Sequence, residues 1–449
     1  MRDAASKPPP SFHPGVGGVG ALATRRNAEF PMLKNRLHEI EARLMDRRPR
    51  IEEWLHSNAS TVPLPFYAST DLRNAGYKIA VVDTNLFPAG FNNLCGKFFE
   101  HTATSARRFV EGRFGAVKRV LIIPESHTRN ANYVDNVAAL ARVISGGGFE
   151  VRMGFLGEAR ERTVEATGTN GDILTFHLLD RKGDTLSAGD FVPDLIILNN
   201  DLAGGVPEIL QGLSQPITPP LEIGWHARRK NVYFEVLDNL VREFASILDI
   251  NPWLLSAITE FERDVDFQTS KGLDRLALKV ESVLDRTREK YREHGIDEKP
   301  FVFVKHNAGT YGMAIITVDR PEEILSANRR MREKMKVGKG KIEVTEVLVQ
   351  EGVPSTDLIN DCTGEPVMYL VGLDLIGGFF RQHCGKSERE NLNQSGSTFA
   401  RLCFRDECES APSSECYYDT CLRNVYSALA QVAVLAAGHE IKRLTHPPV

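Results

Sequence analysis

The sequence predicts an α/β protein in which an N-terminal domain built on a parallel sheet precedes an α+β domain. Three observations carry this prediction. Apolar runs of strand length alternate with helical stretches up to residue 225, residues 221–295 look mainly helical, and strand-like runs dominate from residue 301 onward. The 449 residues exceed the size of one typical hydrophobic core, so two or three domains are expected.

Composition and charge are those of an ordinary globular protein. Hydrophobic residues make up 42% of the chain, charged residues make up 25%, and the formal net charge is −4. This charge balance gives no support for nucleic acid or an anionic membrane surface as a partner. No apolar run approaches the roughly 20 residues that span a bilayer. We therefore expect small-molecule partners, with no nucleic acid and no membrane.

Seven cysteines occur, and five of them lie in the last quarter of the chain, namely Cys384, Cys403, Cys408, Cys416 and Cys421. The sequence contains no CxxC pair, which is the short spacing that structural zinc sites usually bring. Reduced thiols are therefore favoured over a structural metal site, and we expect a cytoplasmic protein.

The N-terminal region begins with a tail and a helix. Residues 1–27 are rich in proline, glycine and small residues and lack the apolar core of a secretory signal, so a disordered tail is expected. An organelle-targeting peptide is the alternative. Residues 28–57 carry leucines and isoleucines at helical spacing among many charges, which predicts one amphipathic helix.

Four apolar runs then read as buried strands, over residues 77–85, 117–125, 149–156 and 193–201. Each of the last three follows a plausible helix, and this alternation predicts parallel strands joined by helical crossovers. The predicted domain covers residues 28–260 and includes the N-terminal helix.

Polar residues follow three of these strands, in the segments 83–85, 125–130 and 199–201. Ligands of parallel sheets bind beyond the carboxyl ends of the strands. Turn chemistry alone explains one such run, whereas three at corresponding positions favour a polar small-molecule pocket.

The second predicted domain covers residues 261–449. Its strand-like runs are FVFVK, AIITV, IEVTEVLVQEG, EPVMYLVG and LIGGFFRQH, beginning at residues 301, 314, 342, 365 and 375. A helix over residues 320–335 interrupts them, and a final helix is predicted over residues 421–440.

The loop HNAGTYGM after Lys305 is a candidate phosphate site. Backbone N–H groups of a glycine-containing loop approach phosphate oxygens closely, and the lysine beside it adds a positive charge. The Walker pattern is absent, because that pattern opens a helix whereas this loop lies between strands. Taken alone, the segment also fits a simple hairpin.

Three further elements follow this loop in order. Gln350 and Glu351 end a strand, where they could pair with an adenine edge and a ribose, or lie at a solvated edge. Arg381 leaves an apolar strand and could stabilise a transferring phosphoryl group. The segment 387–396 offers oxygens suited to magnesium, from Glu390, Asn391 and Asn393.

The order of these elements resembles the ATP-grasp carboxylate–amine ligases, and glutathione synthetase is similar in pattern. The resemblance implies ATP and Mg²⁺ as cofactors, a nucleotide clamped between two sheets, and an acyl phosphate that an amine attacks. It assigns catalysis to Lys305 and Arg381, and metal binding to Glu390, Asn391 and Asn393. It assigns ATP binding to Lys305, Gly309, Thr310, Tyr311, Gly312, Met313, Gln350 and Glu351. A second lysine upstream is expected to touch the nucleotide, with Lys271 and Lys279 as candidates.

Longer motifs are similar to the proteobacterial, Acidithiobacillus-type glutamate–cysteine ligase family. They are DLRNAGYKIAVVDTNLFPAGFNNL, IPESHTRN, LNNDLAGGVP, PPLEIGWHARRK, NPWL, VKHNAGTYGM, QEGV, EPVMY and GGFFR with ENLN, spread over residues 30 to 440. The resemblance implies that ATP, glutamate and cysteine give γ-glutamylcysteine, ADP and phosphate, the first step of glutathione synthesis.

The amino-acid pocket implied by the resemblance comprises Arg73, Asp83, Asn85, His127, Arg129, Asn199, Asn200, Asp201 and Arg229. An amino acid needs a cation for its α-carboxylate and an anion for its ammonium group. Arg73 or Arg129 suits the first task, and Asp83 or Asp201 suits the second.

The chain departs from the family loop at three positions. His306, Asn307 and Ala314 stand where the family has alanine, aspartate and glycine. The alanine matters only if position 314 needs a positive φ. These departures leave two alternatives open: a ligase acting on another amino acid, peptide or carrier-bound carboxylate, or a non-catalytic relative.

Overall fold

The computed structural model describes residues 31–126, 130–157, 161–309, 312–336, 343–402, 416–417 and 422–446. The predicted N-terminal tail, residues 1–27, and most of the cysteine-rich segment 403–421 lie outside the described residues.

The helices of the described residues are α1 (Pro31–Asp46), α2 (Arg48–Ala59), α3 (Phe99–Phe114), α4 (Ala131–Gly146), α5 (Lys230–Leu248), α6 (Leu273–His294), α7 (Glu322–Leu325), α8 (Arg329–Lys334) and α9 (Arg423–Thr445). The strands are β1 (Tyr67–Asn74), β2 (Ile79–Asn85), β3 (Arg119–Pro124), β4 (Glu150–Phe155), β5 (Thr163–Thr167), β6 (Ile173–Lys182), β7 (Thr185–Ala188), β8 (Leu195–Asn199), β9 (Ile217–Thr218), β10 (Thr259–Arg263), β11 (Val302–His306), β12 (Ile315–Val318), β13 (Glu346–Glu351), β14 (Asp357–Ile359), β15 (Cys362–Val371), β16 (Asp374–His383), β17 (Thr398–Leu402) and β18 (Cys416–Tyr417).

Two helices predicted as single elements are each divided in the structure. The N-terminal helix breaks at Arg47, because Pro49 lies in the first turn of α2, where its missing N–H is tolerated. The predicted helix over 320–335 becomes the short helices α7 and α8. Asn328 starts α8 by accepting a hydrogen bond from the Met331 N–H at 2.9 Å.

The first sheet joins the two ends of the chain in the order β18-β17-β16-β15-β1-β2, with β14 also paired to β15. The expectation that the strand at residues 77–85 belongs to the parallel sheet is wrong. It forms β2, which pairs antiparallel with β1. The turn between them is tight, with the Ala75 N–H donating to the Lys78 carbonyl, and it leaves no room for a helical crossover.

The second sheet has the order β10-β13-β11-β12, and all its pairs are antiparallel. Helix α6 covers one face, where Leu276, Val280 and Leu284 pack against Val304 and Val349. This sheet faces the first one through β11, which carries Lys305 at its carboxyl end.

The third sheet has the order β5-β6-β4-β3-β8-β9, with β7 also paired to β6. The predicted parallel pairing is confirmed for β3, β4 and β8. Strands β5 and β7 pair antiparallel with β6 and were not predicted. Helices α3 and α4 contribute Ala106, Val110, Leu140 and Ile144 to the core on one face.

The final helix, α9, lies at the centre of the largest core, against α5, β15 and β2. Its many alanines let these elements approach closely, and most of its surface is buried. It ends at Thr445, five residues beyond the predicted end at 440. Across the ranges that the structure describes, no helix has both the length and the apolar character needed to cross a membrane.

The expectation that all cysteines are reduced thiols is not met in the structure. Cys362 and Cys384 form a disulfide that links the start of β15 to the residue after β16. The sequence pattern did not reveal the pair, because 22 positions separate the two residues and only the antiparallel pairing of β15 with β16 brings them together.

Candidate active site

A cavity opens between the first and second sheets. Strands β1, β2, β15 and β16 line it from one side, and β11 and β12 line it from the other. Its lining residues are Asp71, Arg73, Val82, Asp83, Phe303, Lys305, Gly312, Ile315, Glu365, Arg381, Asn391 and Asn393.

An alternating chain of buried charges forms one wall. The Arg73 Nε donates to Glu365 Oε2 at 3.0 Å, and Arg381 Nη1 donates to Glu365 Oε1 at 2.7 Å and to Asp71 Oδ2 at 2.9 Å. Burial alone would lower the pKa of Arg381, but these two carboxylates outweigh it and raise that pKa above its usual value. The two carboxylates therefore keep the Arg381 guanidinium group charged.

The two arginines differ in how many donors they keep for a ligand. Arg73 also donates to the carbonyl oxygens of Val353, Glu388 and Glu390, so most of its five N–H groups are used within the protein. The contacts of Arg381 are confined to Nη1 and one weak bond from Nη2 to Asp71 at 3.4 Å. Arg381 thus retains donors on the cavity side.

Lys305 lies opposite this wall. Its Nζ donates to Gln350 Oε1 at 2.6 Å and to the Val82 carbonyl at 3.1 Å, which leaves one of its three N–H donors. Burial lowers the pKa of Lys305 to about 8, and the nearby Asp83 carboxylate opposes that shift. Gln350 Nε2 is buried without a hydrogen-bond partner among the described residues.

Asp83 supplies a third carboxylate to the cavity. Both of its oxygens accept from Lys230 Nζ, at 2.5 and 2.6 Å, and Oδ1 also accepts from the Thr84 N–H. Although burial alone would raise the pKa of Asp83, Lys230 and Lys305 hold it below its usual value. This carboxylate therefore stays ionised.

The glycine loop after Lys305 packs against the asparagine loop that carries Asn391 and Asn393. Gly312 has φ +67°, and the Asn391 Nδ2 donates to its carbonyl at 3.2 Å. A Cβ at Gly312 would lie only 2.3 Å from the Asn393 carbonyl oxygen. The close approach of the two loops therefore requires glycine at this position.

Substituting Gly312→Ala is expected to lower kcat/KM for ATP at least about tenfold, because left-handed strain of about 1–2 kcal/mol adds to the clash with Asn393. Initial rates of ADP release against ATP concentration measure the effect. Gly295→Ala is the matched control, since Gly295 has φ +64° but no atom within 4 Å of an added Cβ. Equal losses in the two variants would contradict the packing role of Gly312.

The three departures from the family loop do not line the cavity. His306 and Asn307 are buried behind it, and burial, with Lys230 and Arg229, lowers the pKa of His306 to about 4. Ala314 has φ +49°, so the alanine does occupy a position of the kind that favours glycine. The alanine adds strain of about 1–2 kcal/mol to the backbone.

Asn307 connects the end of β11 to the start of α5. Its Oδ1 accepts from the Asn231 N–H at 2.9 Å, and its carbonyl accepts from the Lys230 N–H at 2.9 Å. Its Nδ2 donates to Asn231 Oδ1 at 2.8 Å and to Glu346 Oε2 at 3.1 Å. Helix α5 has no capping bond from its own Arg229 side chain, so Asn307 takes the place of its N-cap.

Asn307→Asp is expected to destabilise the protein by about 1–3 kcal/mol. Aspartate keeps the capping oxygen, but it loses both Nδ2 donors and sets a carboxylate beside that of Glu346. Denaturant unfolding at neutral pH measures the loss. Asn239→Asp on the exposed face of the same helix is the control, and we expect it to be neutral. A variant at position 307 as stable as the native chain would contradict this account.

Glu351 is not brought to the cavity. Its carboxylate pairs with Lys78 Nζ at 2.8 Å and accepts from Trp253 Nε1 and from the Ile258 N–H. Glu351 is only 1% exposed. Its partners within the protein therefore occupy the acceptor oxygens that a ribose would need.

Among the described residues of the predicted amino-acid pocket, only Arg73 and Asp83 line the cavity. Asn199 is buried in a network with Tyr67, Pro88, Tyr133 and Asn136, far from this group in the third sheet. The remaining described residues are held in turns or in an ion pair. The side-chain oxygens of Asn85, Asn200 and Asp201 accept hydrogen bonds from the backbone N–H groups of Phe87, Leu202 and Ala203, respectively. Arg229 pairs with Glu346. His127 and Arg129 lie outside the described residues.

The other residues predicted to bind ATP lie mainly outside the cavity lining or outside the described residues. Gly309 lies in the loop after β11, and Met313 is 42% exposed beside Gly312. Thr310 and Tyr311 lie outside the described residues. Lys279 pairs with Glu260 at 3.2 Å on α6, and neither it nor Lys271 is among the cavity-lining residues.

Two of the three predicted metal ligands line the cavity, and the third does not. Asn391 and Asn393 line the cavity, whereas the Glu390 carboxylate pairs with Lys386 Nζ and the Ser387 N–H. In the part of the chain that the structure describes, no group of three His, Cys, Asp or Glu side chains could hold a metal by itself. The side-chain amide oxygens of Asn391 and Asn393 are of the kind that suits magnesium held mainly through phosphate oxygens.

Sequence reasoning missed Asp71 and Glu365. Asp71 lies two residues before Arg73, so both side chains project from the same face of β1. Glu365 lies directly opposite Arg381 in the β15–β16 pair. The alternation in β1 was a usable signal for Asp71, but Glu365 becomes recognisable only once the strand pairing is known.

Comparisons with known proteins agree on one family. The family model described as glutamate–cysteine ligase matches residues 41–441. The crystal structure of a candidate gamma-glutamylcysteine synthetase from Methylobacillus flagellatus KT is 40% identical and superposes with a TM-score of 0.84, covering 92% of this chain and 97% of that chain.

A glutathione synthetase-like effector from Globodera pallida, in its apo form, is much more distant. It is 12% identical, with a TM-score of 0.34 and 78% of each chain covered, which is too low to support a conclusion. A search of curated proteins found no significant match. On the family model and the Methylobacillus structure, the chain belongs to the glutamate–cysteine ligase family and is an ATP-dependent ligase that joins glutamate to cysteine.

Proposed function

We propose that the cavity between the two sheets is the ligation site and that it works through an acyl phosphate. A γ-carboxylate oxygen of glutamate attacks the γ-phosphorus of ATP, and ADP leaves. The amino nitrogen of cysteine then attacks the acyl carbon, phosphate leaves, and the nitrogen loses a proton. The observation that carries this proposal is the convergence of Arg381, Lys305 and Gly312 on one cavity.

Arg381 and Lys305 are the proposed catalytic residues. Each keeps at least one N–H donor that no described protein group uses, and each is buried, so its interaction with a phosphoryl group is stronger than in water. Donors fixed before the reaction stabilise the charge that develops during phosphoryl transfer. Gln350 holds Lys305 in place, and its own buried Nε2 is available to an acceptor on the nucleotide.

The glycine loop is proposed to cover the phosphates of ATP. Gly312 lines the cavity beside the asparagine loop, where backbone N–H groups of the glycine loop could reach phosphate oxygens. Magnesium, when bound there with ATP, would neutralise phosphate charge. Asn391 and Asn393, which line the cavity, are the proposed protein groups beside it.

Glutamate is proposed to bind on the β1–β2 side of the cavity. Asp83 is ionised and 35% exposed at its side chain, so it can receive the ammonium group. Arg73 has fewer donors left than Arg381, so Arg73 is better suited to shaping the wall than to binding a carboxylate by two bonds.

The finer assignments are proposed with the same support. The Acidithiobacillus-type subfamily and an ATP-grasp-like nucleotide domain agree with the two facing sheets around Lys305. We propose a substrate-binding unit within residues 28–260 and a nucleotide-binding unit within 261–449, with β1 and β2 crossing into the sheet of the latter. A cytoplasmic reaction is proposed because ATP is the phosphoryl donor.

A different substrate pair is not favoured. That alternative rested on the departures at His306, Asn307 and Ala314, which lie away from the cavity lining, and on the cysteine-rich segment 403–421, most of which lies outside the described residues. The consequences of the three departures are expected in stability and in the placement of α5. A non-catalytic role is not favoured either, because Lys305 and Arg381 face the same cavity.

The test is ADP release by the purified protein with ATP, magnesium, glutamate and cysteine, combined with the mass of the product. We expect turnover that requires both amino acids and yields γ-glutamylcysteine. Omitting either amino acid is the control. The absence of turnover with this pair would overturn the proposal.

A further inference from the structure

We propose that Lys230 is a positioning residue for ligation, which holds Asp83 in the orientation and ionisation state in which Asp83 receives the ammonium group of glutamate. The inference rests on the proposed role of Asp83. Lys230 itself does not line the cavity and is only 4% exposed, so it acts through Asp83 rather than on the substrate.

The geometry between the two side chains is the first support. Lys230 Nζ lies 2.5 Å from Asp83 Oδ1 and 2.6 Å from Oδ2, a symmetric contact that fixes the plane of the carboxylate. Together with the Thr84 N–H on Oδ1, three of about four acceptor positions are occupied. The remaining position, on Oδ2, is left for one N–H of a ligand ammonium.

The placement of Lys230 is the second support. Lys230 is the first residue of α5, and its N–H donates to the Asn307 carbonyl at 2.9 Å. Asn307 follows β11, the strand that also carries Lys305. One strand therefore positions both the amine that faces the cavity and the helix turn that holds Asp83.

The charges around Asp83 are the third support. The charged groups that face Asp83 are Lys230 at the start of α5, Arg228 just before that helix, Lys305 on β11 and Asp71 on β1. Arg228 is itself paired with Glu440 on α9. Burial opposes ionisation of Asp83. Without Lys230, Asp83 would keep Lys305 as its main counter-charge within the cavity, and its proton affinity would rise.

The test is kcat/KM for glutamate between about pH 5 and about pH 9, at saturating ATP and cysteine. In Lys230→Met we expect KM for glutamate to rise about tenfold or more at neutral pH, and the acidic limb of the profile to move up by about one pH unit. KM for ATP is expected to stay within about twofold of the native value.

Two comparisons separate this effect from a general loss of structure. Lys230→Arg keeps the cation and should largely restore the pH profile. Lys290→Met removes a lysine that pairs with Glu293 at 2.6 Å on the surface of α6, and it should leave both KM values unchanged. A Lys230→Met profile and KM for glutamate identical to those of the native protein would overturn the inference.

A second variant keeps the inference testable if Lys230→Met does not fold. The double variant Lys230→Met with Asp83→Asn removes both members of the pair, so that neither a buried unpaired anion nor a buried unpaired cation is left. We expect a raised KM for glutamate and the loss of the Asp83 acidic limb, whereas native values of both would overturn the inference. If the native protein itself shows no ligation, the proposed function fails and the inference falls with it. Native ligation with unchanged variants refutes the inference alone.

Discussion

Replacing Arg381 by lysine is expected to lower kcat about 10²- to 10³-fold, the usual effect of removing one donor that stabilises a transition state. A guanidinium group is planar and presents five donors in a fixed fork, whereas an ammonium group is a compact charge with three. In the native protein, the contacts of Arg381 with Asp71 and Glu365 are made mainly by one nitrogen. A lysine would pair with these carboxylates and leave no donor in the position of the missing nitrogens.

Initial rates of ADP release at saturating ATP, glutamate and cysteine measure this effect. Arg181→Lys is the matched control, because Arg181 also binds several groups through one fork, here the carbonyls of Gly183, Glu208 and Gln211, but at an exposed site in the third-sheet region. The control should keep native kcat. A loss below about tenfold for Arg381→Lys would contradict a direct role in phosphoryl transfer.

Replacing Glu351 by glutamine is expected to destabilise the protein by about 3–5 kcal/mol, because it leaves a buried ammonium group without its counter-charge. Lys78 is fully buried, its Nζ lies 2.8 Å from Glu351 Oε1, and it lies 4.0 Å from the centre of the Trp253 ring. Glutamine keeps an acceptor for Trp253 Nε1 and for the Ile258 N–H, so the loss falls mainly on Lys78.

The pH dependence has a definite sign. Burial lowers the pKa of Lys78 to about 8 even with Glu351 opposing the shift, so the folded state binds fewer protons than the unfolded state between that value and the ordinary lysine pKa. Stability from this group therefore rises with pH in that window. Without Glu351 the pKa falls further, the window extends towards neutral pH, and the variant should regain stability as the pH is raised.

Denaturant unfolding of the native chain and the variant at several pH values tests this. The double variant Lys78→Met with Glu351→Gln removes the unpaired cation and should be more stable than Glu351→Gln alone. A single variant that loses less than about 1 kcal/mol, or a double variant less stable than the single one, would contradict the account.

Much of the fold follows from local pattern. The runs at β3 and β8 are almost wholly apolar because both faces of the sheet are covered there, and helix α4 between β3 and β4 favours the parallel pairing of those two strands. The sequence around β1 and β2 contains no comparable pattern that identifies the strand with which this hairpin pairs. β1 joins β15, nearly 300 residues later, and this long-range pairing carries no local signal.

Some residues of the candidate site are likewise recognisable from the sequence, whereas others are recognisable only once the long-range contacts are known. Lys305, Gly312 and Arg381 are recognisable because the order of their segments along the chain resembles the ATP-grasp ligases, although the Lys305 loop taken alone fits a hairpin. Glu365 and Lys230 are not, because each acquires its role from a partner on another element, Arg381 in one case and Asp83 in the other. Glu351 shows the reverse error, since a polar strand end looked like a ligand group and proved to be the counter-charge of Lys78.

A crystal structure with a non-hydrolysable ATP analogue, magnesium and glutamate tests the central claim most directly. We expect the terminal phosphate to lie within hydrogen-bond distance of Arg381 and Lys305 under the glycine loop, and the glutamate ammonium group to contact Asp83. Nucleotide bound elsewhere, for example at the carboxyl ends of β3 and β8 in the third sheet, with the cavity between the first two sheets empty, would contradict the account.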